Sequence, residues 1–176
     1  MLGGGSVIGP VVAQTRAGSP ERIGALLEQG QAAYRSKNLE AMTSAYEQVL
    51  LEDEDNVQAL NNLAYSLVDQ FNQPQQALKY AQRAQRLAGE NASVLDTVGW
   101  VYARAGKTAE GENALRDALR LDPNSLPPRF HLAKVYALAG RKSEARQEFE
   151  ECVNRARRVE NAEYQRLAQE ELQKLP

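Results

Sequence analysis

Residues 95–106 read Leu95-Asp96-Thr97-Val98-Gly99-Trp100-Val101-Tyr102-Ala103-Arg104-Ala105-Gly106. Leu95, Val98, Gly99 and Tyr102 fall at i, i+3, i+4 and i+7, one face of an amphipathic helix. Gly106 then supplies the residue that tolerates a left-handed backbone, so the helix is expected to end there. Tyr102 and Gly106 return 34 residues later as Tyr136 and Gly140. Glu110 and Glu144, Gly111 and Ala145, and Ala118 and Cys152 keep the same step. A step of this size is the signature of stacked supersecondary units.

Working backwards, the small residues Gly30, Ala64, Gly99 and Ala133 step by 34, 35 and 34. Met42, Ala77, Gly111 and Ala145 step by 35, 34 and 34. The extra residue falls in Asp69–Pro74, where a turn absorbs it. Small side chains in both rows mark places where two helices of a pair cross closely. Gly99→Leu would overpack such a crossing, whereas Gly99→Ala is expected to be mild. Leu115, Ala118 and Leu119 carry the apolar stripe of a second helix. Pro123, Pro127 and Pro128 lie near a helix start, where a missing N–H does least harm. The acidic run Glu52–Asp55 lacks the glycine and distal glutamate of a calcium loop and reads as a turn between units.

These residues resemble the tetratricopeptide repeat family. The third unit contributes Leu95, Val98-Gly99, Tyr102, Gly111, Leu115, Ala118 and Pro123. The fourth contributes Leu132-Ala133, Tyr136, Ala145, Phe149 and Cys152. The first two are looser, with Gly30, Met42, Tyr46 and Val49, then Leu63-Ala64, Leu67, Ala77, Ala81 and Ala84. The strings at Leu60–Tyr65 and Leu95–Trp100 resemble the bacterial branch of the family, some of whose members serve assembly at the cell envelope. The implied fold is all-α: a right-handed superhelical solenoid of about four helix pairs plus a C-terminal capping helix. The expected divisions are a tail or linker over 1–22, repeats over 23–56, 57–91, 92–125 and 126–158, and the cap over 159–176. In the cap, Tyr164, Leu167, Ala168 and Leu172 form an apolar stripe, as the open end of a solenoid requires. Residues 1–20 read as a linker, an expression remnant or a strand that pairs outside the chain. No Lys or Arg precedes their apolar stretch, which argues against a signal peptide.

Composition narrows the function. The chain of 176 residues has 21 Lys+Arg against 23 Asp+Glu, a balance unsuited to binding a phosphate backbone. One cysteine and one histidine leave no cysteine-based zinc site, no two-histidine metal motif and no evident catalytic set. Cys152 shares a row with Ala84 and Ala118 and reads as a small core residue. No apolar run is long enough to span a bilayer. Neither catalysis nor a cofactor or metal is expected, and the compartment, cytoplasmic or periplasmic, is left open.

By the resemblance, the first helix of each pair lines a concave groove. The helical period then places Asn61, Asn62, Tyr65, Asp96, Thr97, Trp100, Phe130, His131 and Lys134 on that face. Amides and hydroxyls can pair with a peptide backbone, and aromatics supply contact area. Packing of Tyr65 and Trp100 on neighbouring helices is the competing reading. Relatives that grip a terminal carboxylate use a Lys, Asn, Asn, Lys, Arg set. The matching positions here are Leu27, Gln31, Asn62, Ser93 and Thr97, or Asn61, Tyr65, Thr97, Pro127 and His131, and neither set has the cations. An asparagine ladder would fall on Glu28, Asn62, Thr97 and His131, and only Asn62 matches. The expected function is a protein-interaction scaffold that takes a protein or peptide partner in the groove, with no nucleic acid or small-molecule substrate. The alternatives are a self-assembly module forming a homo-oligomer, within an envelope complex, and a regulatory piece of a larger enzyme. Membrane contact, if any, would come through a partner.

Overall fold

The computed structural model describes residues 19–175. Nine helices make up these residues: α1 (Pro20–Arg35), α2 (Leu39–Glu52), α3 (Val57–Asp69), α4 (Pro74–Ala88), α5 (Ala92–Arg104), α6 (Thr108–Leu121), α7 (Leu126–Leu138), α8 (Lys142–Arg158) and α9 (Ala162–Lys174). They pair as α1/α2, α3/α4, α5/α6 and α7/α8, and α9 packs on α8 and α7. The first helices also contact one another, α3 against α5 and α5 against α7. The result is the all-α solenoid of four pairs and a cap. The expected tail over 1–22 lies largely outside the described residues. Within them, Pro20 to Arg22 are already helical, because Ser19 Oγ accepts the Arg22 N–H and Pro20 opens the first turn.

Caps set the helix starts. Asn38, Asn56, Asn91 and Asn161 each accept a backbone N–H from the first turn of the following helix. Gly106 and Gly140, at φ 86° and 74°, close the first helix of the third and fourth pairs. In each, the next N–H reaches back five residues, Lys107 to the Tyr102 carbonyl and Arg141 to that of Tyr136, both at 2.9 Å. The first two pairs make the same turn with Lys37 and Asn72 at positive φ. The added residue of the second pair sits in this turn, at 70–73, and the closing bond runs from Gln73 N–H to the Leu67 carbonyl.

Both rows of small residues are buried at the crossings. Ala64, Ala133, Met42, Ala77 and Ala145 are all inaccessible, and Gly30 lies under the Tyr46 ring. One apolar core runs from Leu26 to Ala168 through all four pairs into α9. The acidic turn is tied down by ion pairs of Arg22 with Glu52 and of Arg83 with Asp55. Arg155, in the basic stretch before the cap, donates to the Pro123 carbonyl at 2.9 Å and to Asn124 Oδ1 at 2.7 Å, so it locks the turn between α6 and α7.

Candidate functional site: the concave face of the second to fourth pairs

The nine expected groove residues lie along α3, α5 and α7, and the structure divides them by depth. Asn61, Asn62, Tyr65 and Lys134 are half-buried at the concave surface. Asp96, Thr97, Trp100, Phe130 and His131 are only 7%, 3%, 1%, 7% and 3% exposed. These five are buried where an open groove lining was expected, and for Trp100 packing on the neighbouring helices, the competing reading, is what the structure has. Successive first helices pack directly on one another, so side chains directed away from the pair partner meet the next first helix instead of solvent. At α7 that neighbour is α9.

The buried layer has its own chemistry. His131 stacks on Trp100 with centroids 5.0 Å apart and planes 12° from parallel. Its Nδ1 lies 2.7 Å from Asp96 Oδ1. An ionised carboxylate only accepts, so the imidazole proton sits on Nδ1 and donates to Asp96. Tyr65 and Phe130 close on the same imidazole at 6.0 Å each, and Phe130 meets Phe149 and Tyr164 edge-on at 5.7 and 5.8 Å. The Trp100 ring also carries two cations, Lys134 Nζ at 4.7 Å and Arg104 Cζ at 5.0 Å from its centroid. Burial lowers the Lys134 amine below the ordinary lysine value.

Three clefts open around this layer. One, of about 280 Å³, is lined by Asn61, Asn62, Tyr65, Ser93 and Tyr164 and by the largely buried Asp96, Thr97 and His131. A smaller one continues from it through Asn62 and Tyr65 toward Tyr34, whose hydroxyl donates to Asp69 Oδ2 at 3.0 Å. Burial, with Asp69 adding to it, pushes the Tyr34 hydroxyl up to about 12. The third lies between Trp100, Lys134 and α9. Asn61 Oδ1 is buried with no hydrogen-bond donor among the described residues.

Tyr164 and Glu171 of α9 line these clefts but escaped the sequence reading of the groove. The signal was present: Tyr164 stands 34 residues after Phe130, so α9 occupies the place of a fifth first helix. Cys152 is inaccessible, and burial pushes its thiol up to about 11, as befits a core residue. Among the described residues no helix is long and apolar enough to cross a membrane.

Comparison with known proteins agrees with this architecture. A tetratricopeptide-repeat-containing protein of Pseudomonas aeruginosa is 31% identical over 105 residues, which are 60% of this chain and 18% of that protein. This chain therefore spans under a fifth of that relative's length. A mutant Thermobaculum terrenum O-GlcNAc transferase superposes with a TM-score of 0.68 at 25% identity, over 78% of this chain and 26% of the transferase. PilW, titled a widely conserved type IV pilus biogenesis factor, superposes with a TM-score of 0.68 at 20% identity, over 88% of this chain and 78% of its own. Residues 102–170 match the tetratricopeptide repeat family model, and the helix pairs that precede them repeat the same architecture.

Proposed function

We propose that the protein is an interaction scaffold, with no catalytic step of its own, that holds an extended or helical segment of a partner polypeptide along the concave face of its second to fourth pairs. Repeats of this family mediate protein–protein interaction, and solenoids of this kind offer extended concave surfaces for it. The observation that carries the reading here is the polar lining of two joined clefts. Asn61, Asn62, Ser93, Tyr65 and Tyr34 line them with amides and hydroxyls, beside the largely buried Thr97, and the buried Asn61 oxygen has no donor among the described residues. A peptide backbone supplies donors and acceptors at such spacing, and the tyrosine rings supply contact area.

The test is site-directed. A photo-cross-linking residue at Ser93, exposed on the concave side, is compared with one at Gln48, exposed on α2. Cross-linking from Ser93 that Tyr65→Ala and Asn62→Ala abolish, with the circular dichroism spectrum unchanged, supports the groove. Products only from Gln48 move the working surface to the outside of the solenoid. Products joining two copies of this chain make it a self-assembly module.

A further inference from the structure

A cleft of about 330 Å³ opens between α5, α7 and α9, lined by Trp100, Arg104, Lys134, Ala137, Leu138 and Glu171. Its charge is out of balance. Among the described residues neither Arg104 nor Lys134 has a carboxylate within ion-pair distance. Arg104 donates to a neutral amide, Asn72 Oδ1, at 2.6 Å. Lys134 rests on the faces of Trp100 and Phe130, at 4.7 and 5.4 Å. The acid in the cleft, Glu171, is held by Lys174 at 2.8 Å. The cleft is thus lined by two cations and one carboxylate, with Lys174 holding that carboxylate from outside and Asp69 the other acid close enough to act on Lys134. Beside them Leu138 is 63% exposed, an apolar shelf at the cleft's edge. Trp100 Nε1, on a ring that lines the cleft, finds no acceptor among the described residues.

We propose that this cleft takes the carboxylate of an aspartate or glutamate side chain of a partner polypeptide, with an adjoining aliphatic or aromatic residue laid on Leu138. The inference rests on the groove-binding reading and adds the chemistry of the partner. A cation already half out of water gains more from a carboxylate than an exposed one does, because part of its desolvation precedes binding. The cleft is at the small end of the range for organic ligands, about 300–1,000 Å³, and suits one or two side chains of a longer segment. Arg104 and Lys134 lie further along α5 and α7 than the positions at which relatives grip a terminal carboxylate, and those positions lack cations here.

Trp100 is the sole tryptophan and reports on the cleft directly. The intact chain is titrated with the blocked peptide acetyl-Gly-Glu-Leu-Leu-Gly-amide, with its Gln-for-Glu counterpart, and with the Gln peptide carrying a free C-terminus, following Trp100 emission. The Glu peptide is expected to saturate, to bind about tenfold or more tighter than the blocked Gln peptide, and to weaken with added salt. Lys134→Met should weaken it by about tenfold or more, and Glu171→Gln, which removes the competing acid, should tighten it. If Lys134→Met disturbs the fold by circular dichroism, Arg104→Gln takes its place. Equal binding of both blocked peptides overturns the acidic assignment while leaving the groove reading intact. No saturable response to the Glu peptide at millimolar concentration also overturns it, and cross-linking from Ser93 remains the separate measure of the groove. Preference for the free C-terminus over the Glu side chain overturns it in favour of a chain end.

Discussion

Gly99 and Gly111 face each other backbone to backbone where α5 crosses α6. A Cβ on Gly99 would stand 2.8 Å from the Gly111 carbonyl oxygen, and a Cβ on Gly111 would stand 2.7 Å from that of Gly99. A Cβ on Gly99 would also meet Leu115 Cγ at 2.5 Å. The expectation that Gly99→Ala is mild is therefore corrected. Helix propensity favours alanine, but the obstacle is partly main chain, which cannot rotate aside.

Gly99→Ala and Gly111→Ala should each lower stability by about 1–3 kcal/mol through overpacking. Gly24→Ala is the control, since Gly24 is helical with open space around its Cα. That change should be neutral or stabilise by up to about 1 kcal/mol. Urea melts of the three variants check this, and a Gly99→Ala midpoint at or above the parent's would mean that the crossing is looser than described.

The positive-φ turns at helix ends are occupied unequally. Gly106 and Gly140 take positive φ without cost, whereas Lys37 and Glu160 take φ 56° and 54° with a side chain attached. Lys37→Gly and Glu160→Gly should each raise stability by roughly 0.5–1 kcal/mol. Gly106→Ala should lower it by about 1–2 kcal/mol. Asn72, whose side chain tolerates this region, should gain least from glycine. Thermal melts that rank Asn72→Gly above Lys37→Gly would contradict the ranking.

The contrast between these turns and the groove explains what the sequence could disclose. The 34-residue step, Gly106, Gly140 and the two rows of small residues are local or periodic, and they were enough for the solenoid and its helix pairs. The fate of Trp100 depended on something else. A helical wheel gives the direction of a side chain but not the distance to the next first helix, so it could not decide between groove exposure and packing for this ring. Lys37 carried no signal of its positive φ beyond its place in the row of Gly106. Asp96 and His131 were each visible as groove polar residues, but their pairing depends on how closely α5 and α7 lie.

Alkaline pH should unfold the protein early. Burial raises the Cys152 thiol to about 11 and the Tyr34 hydroxyl to about 12, and it raises Tyr65 and Tyr164 further. For each, the folded chain holds the proton more tightly than the unfolded chain. The stability this confers is whole below the unfolded values near 9–10 and is lost as pH rises through the folded values. Lys134 acts oppositely, since burial lowers its amine, but it is one group against six, because burial also raises Tyr46 and Tyr136. For Cys152 the loss by pH 11 is on the order of 2 kcal/mol. Urea midpoints should therefore be flat to about pH 9 and fall steeply by pH 11, and Cys152→Ala should fall less steeply. Identical slopes for parent and variant would remove Cys152 from the account.

The Asp96–His131 pair and the Trp100 ring stacked on it form the buried joint between α5 and α7, so changes there should be read first as stability. Trp100→Ala should cost about 3–5 kcal/mol, since it empties an inaccessible site, and any loss of partner binding in that variant is a consequence of the fold. Asp96→Ala leaves the His131 Nδ1 proton buried without an acceptor, a cost of about 1–3 kcal/mol. His131→Phe leaves the Asp96 carboxylate buried without its donor, and the cost should be at least as large because the orphan is charged. Removing both, in Asp96→Leu/His131→Phe, leaves neither orphan and keeps an aromatic plane against Trp100. The double variant should therefore be more stable than the sum of the single losses predicts, with a coupling of about 1–3 kcal/mol. Denaturant melts of the four proteins at pH 7 close the cycle. Additive losses would mean that the 2.7 Å contact contributes nothing and that the ring stack alone joins the two helices.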